Sequence, residues 1–145
     1  MKSGISAVIT CVSGEEKYLS SCLDSIKNFV KEIVIVDMSG GKEISSVAKK
    51  FNAKVYPHEF TNYVEPVRNF GISKAKEDWI LILDPDEEIS LTLAHRLVQI
   101  TEEGNVDYIR IPRRNIVFGK VLRHSRDNLL LQDYRITCEI RDSTA

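Results

Sequence analysis

The sequence is poor in cysteine, and none of its cysteines has metal-binding or disulfide-frame spacing. Cys11, Cys22 and Cys138 are the three present, an odd number with no Cys-x-x-Cys pair. That argues against a zinc site and for a reducing compartment, hence a cytoplasmic location. No apolar run approaches the ~18 residues of a membrane span. The short stretch from Ile5 to Val12 lacks the long core and cleavage site of a signal peptide. Excess charge is absent too: a net charge of -1 provides no global field to draw in nucleic acid. Glycine is sparse where one enzyme class needs it. A nucleotidyltransferase wants a glycine-rich basic loop after its first strand, but Thr10 to Glu16 holds a single glycine and no Lys or Arg. A phospho-receiver module wants an acidic pair there, and Cys11-Val12 occupies that place. No repeat, low-complexity segment or linker divides the chain, so residues 1–145 read as one domain.

What is present is the material of a globular domain: 43% hydrophobic and 28% charged residues over 145 positions. The most informative stretch is Trp79-Ile80-Leu81-Ile82-Leu83, followed at once by Asp84-Pro85-Asp86-Glu87-Glu88. A continuous apolar run of this length fits a strand buried on both faces, as in a parallel sheet covered by helices. Pro85 stops the strand, so the acids stand where it leaves the sheet. In open α/β sheets that edge is where ligands bind. Carboxylates this close repel one another unless something positive lies beside them. A divalent cation, Mn or Mg, answers that need, with phosphate oxygens and waters completing its shell. The plainer reading is an acidic turn capping the next helix, with Ser90 as N-cap.

The rest of the chain alternates. Ile5 to Thr10 reads as a first strand. Ser13 and Glu16 have capping-box spacing ahead of a helix whose apolar stripe is Leu19, Cys22, Leu23, Ile26, Phe29 and Val30. Glu32 to Asp37 is a second buried strand ending in an acid, and Gly40-Gly41 marks a turn. A helix faced by Ile44, Val47, Ala48 and Phe51 leads to a short strand over Ala53 to His58. Thr61 to Glu65 reads as a loop, and Pro66 suits the first turn of a helix carrying Arg68 and Asn69. After the acids, Leu93, Ala94, Leu97, Val98 and Thr101 line a helix that Gly104 stops. This order predicts an α/β fold with a mostly parallel sheet and crossover helices. From Val106 the texture turns β-rich. Strands are expected over Val106 to Ile111, Ile116 to Leu122 and Tyr134 to Arg141, adding mixed or antiparallel strands near the C-terminus.

Asp37 and Asp84 thus end two strands on one edge. One can hydrogen-bond a base or ribose hydroxyl while the others hold metal. Arg68 follows a loop that crosses near that edge, where a guanidinium braces a diphosphate or base. The run Arg110, Arg113, Arg114, Lys120, Arg123, His124 and Arg126 reads as a solvated face, or as a surface for a phosphorylated or lipid-linked acceptor.

These pieces resemble the family 2 nucleotide-sugar glycosyltransferases of the GT-A (Rossmann-like) fold. The residues that carry the likeness are Glu15 to Leu19, Cys22 to Ile26, Val34 to Asp37, Arg68-Asn69 before Gly71, and Asp78 to Glu87. The last is similar to the family's Asp-x-Asp motif at the end of a Trp-led strand. Ile111 to Asn115, Gly119 and Arg123-His124 look like the branch that acts on lipopolysaccharide cores and related glycans. The resemblance implies that Thr10, Asp37, Arg68 and Asp84 hold the donor nucleotide, and that Asp86, with Asp84, holds the metal. The implied reaction is metal-dependent, inverting transfer of a sugar from a nucleoside diphosphate to a glycan or lipid-linked hydroxyl, in the cytoplasm or at the inner face of the membrane. The family's base lies well downstream of the acidic motif. Here Asp133 and Glu139 are the late candidates, and the chain is expected to be the N-terminal, nucleotide-binding part of a longer unit. The alternative is a nucleotide-sugar-binding module without turnover, or a half-domain that works as a homo-oligomer.

Overall fold

The computed structural model describes residues 3–111, together with the backbone of 116–117 and 120–121. Four strands, β1 (Ile5–Cys11), β2 (Glu32–Asp37), β3 (Lys54–Pro57) and β4 (Trp79–Leu83), form one sheet in the order β3-β2-β1-β4. Every pairing in it is parallel. The links between them and the chain after β4 supply α1 (Glu16–Ile26), α2 (Glu43–Lys50), α3 (Val64–Lys74) and α4 (Leu91–Glu103). The α/β, mostly parallel architecture expected from the sequence is the one found.

Side-chain alternation along the strands creates two cores. Ile5, Ala7, Ile9 and Cys11 of β1, with Trp79, Leu81 and Leu83 of β4, pack against α1, α2 and α4. Val8, Val34 and Ile80 point the other way, toward Ile72 of α3 and Ala75 at its C-cap. Strands covered on both faces have no polar face to show, which is why β2 and β4 carry the unbroken apolar runs of residues 33–36 and 79–83. β3 is an edge strand, with Lys54 and Pro57 exposed as such edges favour. Gly71 lets α3 lie close: a Cβ there would stand 2.6 Å from Val8 Cγ1 and 3.0 Å from Val36 Cγ2.

At the entry edge of the sheet, buried Glu32 accepts from Ser6 Oγ at 2.7 Å, Lys54 Nζ at 2.7 Å and the Lys76 N–H at 2.8 Å. The Glu77 N–H donates to Ser6 Oγ at 3.1 Å and closes the clasp. Burial pushes the Glu32 carboxyl up, but the hydrogen bonds from Lys54, Ser6 and Lys76 and the Lys54 charge outweigh it, so its pKa lies below the ordinary glutamate value.

Local expectations fared unevenly. Ser90 caps α4, its Oγ accepting from the Leu93 N–H at 3.3 Å, and Gly104 ends it at φ 63°. α3 starts at Val64, inside the expected loop, and Pro66 falls in its first turn, where its missing N–H costs nothing. Ser13 is not the cap of α1. Glu15 is, because Gly14 at φ 92° turns the chain and both glutamates bond the strand exit instead. Val106 to Ile111 forms no strand. Ile109 and Ile111 reach the core with period two, but among the described residues no ladder pairs with this stretch. Beyond it, β5 (Ile116–Val117) and β6 (Lys120–Val121) make a two-residue antiparallel pair. The strand expected over Tyr134 to Arg141, and Asp133, Glu139 and Cys138, lie outside the described residues.

Candidate functional site

Strand register brings the acids to one edge. Cys11 pairs with Asp37 and Asp37 with Pro57, while Ile9 pairs with Leu83. Asp84 therefore leaves the sheet level with Thr10, one residue short of the Cys11–Asp37 level. β1 and β4 are neighbours, yet β1 feeds a chain that builds toward β2 and β3 and β4 lies on its other side. The strand order reverses here, which is where open α/β sheets bind ligands.

Both of these strands exit through the same small device. The Val12 N–H donates to Glu15 Oε2 at 2.8 Å while the Glu15 N–H returns to the Val12 carbonyl at 3.3 Å. The Asp84 N–H donates to Glu87 Oε2 at 2.8 Å while the Glu87 N–H returns to the Asp84 carbonyl at 3.1 Å. Each closes a four-residue turn with a glutamate at its fourth place. In the second, Pro85 supplies the fixed φ of the second place, and Asp86 is left exposed at the third. Glu15 and Glu87 are thus backbone caps. Their roles were missed in the sequence, though a Glu four residues past each strand end was the available sign.

Asp37 is buried, and its Oδ1 accepts from the Ser39 N–H at 2.7 Å and Ser39 Oγ at 2.6 Å, fixing the turn after β2. Thr10 is half-buried in β1 opposite Val36. Arg68, on α3, places Nη2 3.6 Å from Asp84 Oδ1, with both side chains about a third exposed, at 32% and 35%. The positive partner that the acidic run demanded is thus supplied in part by the chain itself. At this exposure the pair contributes little to stability, roughly 0–1 kcal/mol. His58, just past β3, has its N–H on the Asp37 carbonyl at 2.9 Å, and its ring faces Phe70. His95 is exposed on α4.

Asp84 and Asp86 offer hard oxygen donors, the chemistry that Mg and Mn prefer. Among the described residues, no three His, Cys, Asp or Glu side chains converge on a ready-made cage. The donor set thus fits a cation that takes most of its shell from phosphate and water. Thiolates have no part in it. Burial, then the charges of Glu87, Glu88, Asp86 and Asp84, push the Cys22 thiol up to about 12. Burial, then Glu15 and other nearby groups, push Cys11 higher still. Both remain protonated at neutral pH and serve as small core residues. A polar hollow of about 330 Å³, lined by Ser20, Ser21, Asp24, Ser25 and Glu88, shares only Glu88 with the acidic stretch and none of the expected donor ligands. No helix among the described residues is long and apolar enough to cross a membrane.

The chain resembles known proteins in sequence and in fold. It is 31% identical over 107 residues to an uncharacterised glycosyltransferase of Rickettsia typhi, covering 74% of this chain and 36% of that protein. It is 30% identical over 117 residues to a TPR repeat-containing protein of Synechococcus elongatus, covering 70% of this chain and 29% of the other. The chain therefore spans about a third of the length of these relatives. In fold it matches Staphylococcus aureus TarS 1-349 with a TM-score of 0.68 at 24% identity, over 84% of this chain and 39% of that one. It also matches a Pyrobaculum calidifontis mannosyltransferase, solved with GDP-Man and Mn2+, with a TM-score of 0.57 at 14% identity, over 78% of this chain and 37% of the other. The sequence model of glycosyl transferase family 2 covers residues 7–143, so nearly the whole chain belongs to that family.

Proposed function

We propose that this chain is the donor-binding part of a metal-dependent, inverting glycosyltransferase. Its donor is a nucleoside diphosphate sugar, and its acceptor is a hydroxyl of a glycan or lipid-linked glycan in the cytoplasm or at the inner membrane face. The observation that carries this reading is the meeting of Asp37, Asp84, Asp86 and Arg68 at one parallel-sheet edge, with Arg68 3.6 Å from Asp84. In this reading buried Asp37 binds the base or ribose, as a fixed acceptor at the end of β2. Thr10 lines the floor beside it. Arg68 braces the diphosphate or base, Asp84 holds the ribose or the metal, and exposed Asp86 is the principal metal ligand. A divalent cation held by Asp84 and Asp86 would offset charge on the departing diphosphate. The mannosyltransferase neighbour, solved with GDP-Man and Mn2+, supports this chemistry by analogy of fold.

Deprotonation of the acceptor falls to a carboxylate, for which Asp133 and Glu139 are the candidates. Because the chain spans about a third of its relatives, a donor-binding module without turnover is the second reading. A thermal-shift panel of nucleoside diphosphates and nucleotide sugars, with and without Mn2+ or Mg2+, tests the donor site, since ligands of the native state raise Tm. Release of nucleoside diphosphate then separates enzyme from module. Asp86→Ala is expected to abolish the metal-dependent part of donor affinity while Tm without ligand stays unchanged. Equal calorimetric affinity in variant and parent would remove Asp86 from the metal site.

A further inference from the structure

The loop between β3 and α3, with the first residue of α3, exposes three of the protein's large apolar side chains close together in sequence. Phe60 is 66% exposed, Tyr63 72% and Val64 41%, with polar Thr61 and Asn62 between them. Aromatic rings this large normally account for much of a core or an interface. The loop is nevertheless fixed at several points. Thr61 Oγ1 accepts from the Tyr63 N–H at 3.2 Å, and the His58 ring packs edge-on against Phe70 at 5.1 Å between centroids. Its two ends are tied to the candidate site. At one end, the His58 N–H donates to the Asp37 carbonyl at 2.9 Å. At the other, Val64 stands one helical turn before Arg68 on the same side of α3, and Arg68 reaches Asp84. The loop therefore bridges from the acid expected at the base to the pair expected at the diphosphate.

We propose that Phe60 and Tyr63 form a stacking platform for the nucleobase of the donor, an inference that rests on the donor reading above. A nucleobase presents hydrogen-bonding edges and apolar faces. Asp37 satisfies an edge, and the exposed rings cover a face. Every base has such a face, so the platform supplies affinity, and the choice among bases stays with the hydrogen bonds.

Calorimetry on the full chain with Mn2+ tests this, using UDP, GDP and inorganic diphosphate as probes. The double variant Phe60→Ala/Tyr63→Ala is expected to bind the nucleotide about tenfold more weakly, the scale of one lost base–aromatic contact. The exchange variant Phe60→Tyr/Tyr63→Phe keeps both rings and is expected to stay within about twofold of the parent. Inorganic diphosphate, which has no base, should bind all three proteins alike. Parent-like nucleotide affinity in the double alanine variant would overturn the platform. So would an equal loss for inorganic diphosphate, which would mean a disturbed helix start. A parent that binds neither nucleotide would overturn the donor reading itself, and the platform with it.

Discussion

Glu32 sits at the entry of β2, where an unpaired carboxylate would be costly to bury. It is tolerable because Ser6, Lys54 and the Lys76 backbone all donate to it. Replacing it by alanine strands those donors and should cost about 1–3 kcal/mol. The conservative Glu32→Gln separates charge from shape. As pH drops, the unfolded chain takes up the proton first, because the folded state holds this carboxyl below its ordinary value. Its contribution is thus complete above the ordinary glutamate range and is lost as pH falls through that range toward the folded value. Thermal melts across that acid window should show a shallower decline in Glu32→Gln than in the parent; parallel curves would dismiss the linkage. None of this was visible from position 32 alone, which reads as the first residue of an apolar strand. The partners are 22, 26 and 44 residues away in sequence, and only the sheet order joins them. Asp84 and Asp86 were legible for the opposite reason: an unbroken apolar run, a proline and an acid state their position locally.

At the level of elements, α3 depends on one missing side chain. Alanine is favoured over glycine in a helix interior by roughly 1 kcal/mol, so propensity alone would make Gly71→Ala stabilising. The sign is set by the 2.6 Å approach to Val8 Cγ1, since Val8 is buried and β-branched and cannot swing aside. Gly71→Ala should therefore destabilise by about 1–3 kcal/mol, and urea melts would show it as a lowered midpoint with an unchanged slope. Adding Val8→Ala should recover part of that loss, because the two changes share one contact. The strands and helices themselves were readable, since each apolar period matches the number of faces it buries. The helix starts were less so. Ser13 and Glu16 have the right spacing for a capping box, yet Glu15 and Glu16 bond the backbone of the strand exit, at Val12 and Gly14. Spacing identifies a possible partner; the direction in which Gly14 turns the chain decides which partner is met. Val106 to Ile111 keeps its alternating pattern without forming a strand, and among the described residues no strand pairs with it.

Across the whole molecule, the clasp and the candidate site occupy opposite ends of the same strands. The sheet separates them by the length of β1, seven residues or roughly 20 Å. Changes at that separation act independently when they share no partner. Glu32→Gln is therefore expected to lower Tm and leave donor affinity intact, while Asp86→Ala does the reverse. The double variant should show the plain sum of the two, and a sum that fails by more than about 0.5 kcal/mol would reveal coupling through the sheet.

The Glu32 clasp has a consequence for descent. It fastens β1, β2, β3 and the approach to β4 without calling on any residue of the opposite edge. Loops at that opposite edge can be lengthened, shortened or replaced over generations while the fold is inherited unchanged. A sheet fastened at one end in this way leaves the loops at its other end free to vary without disturbing strand order.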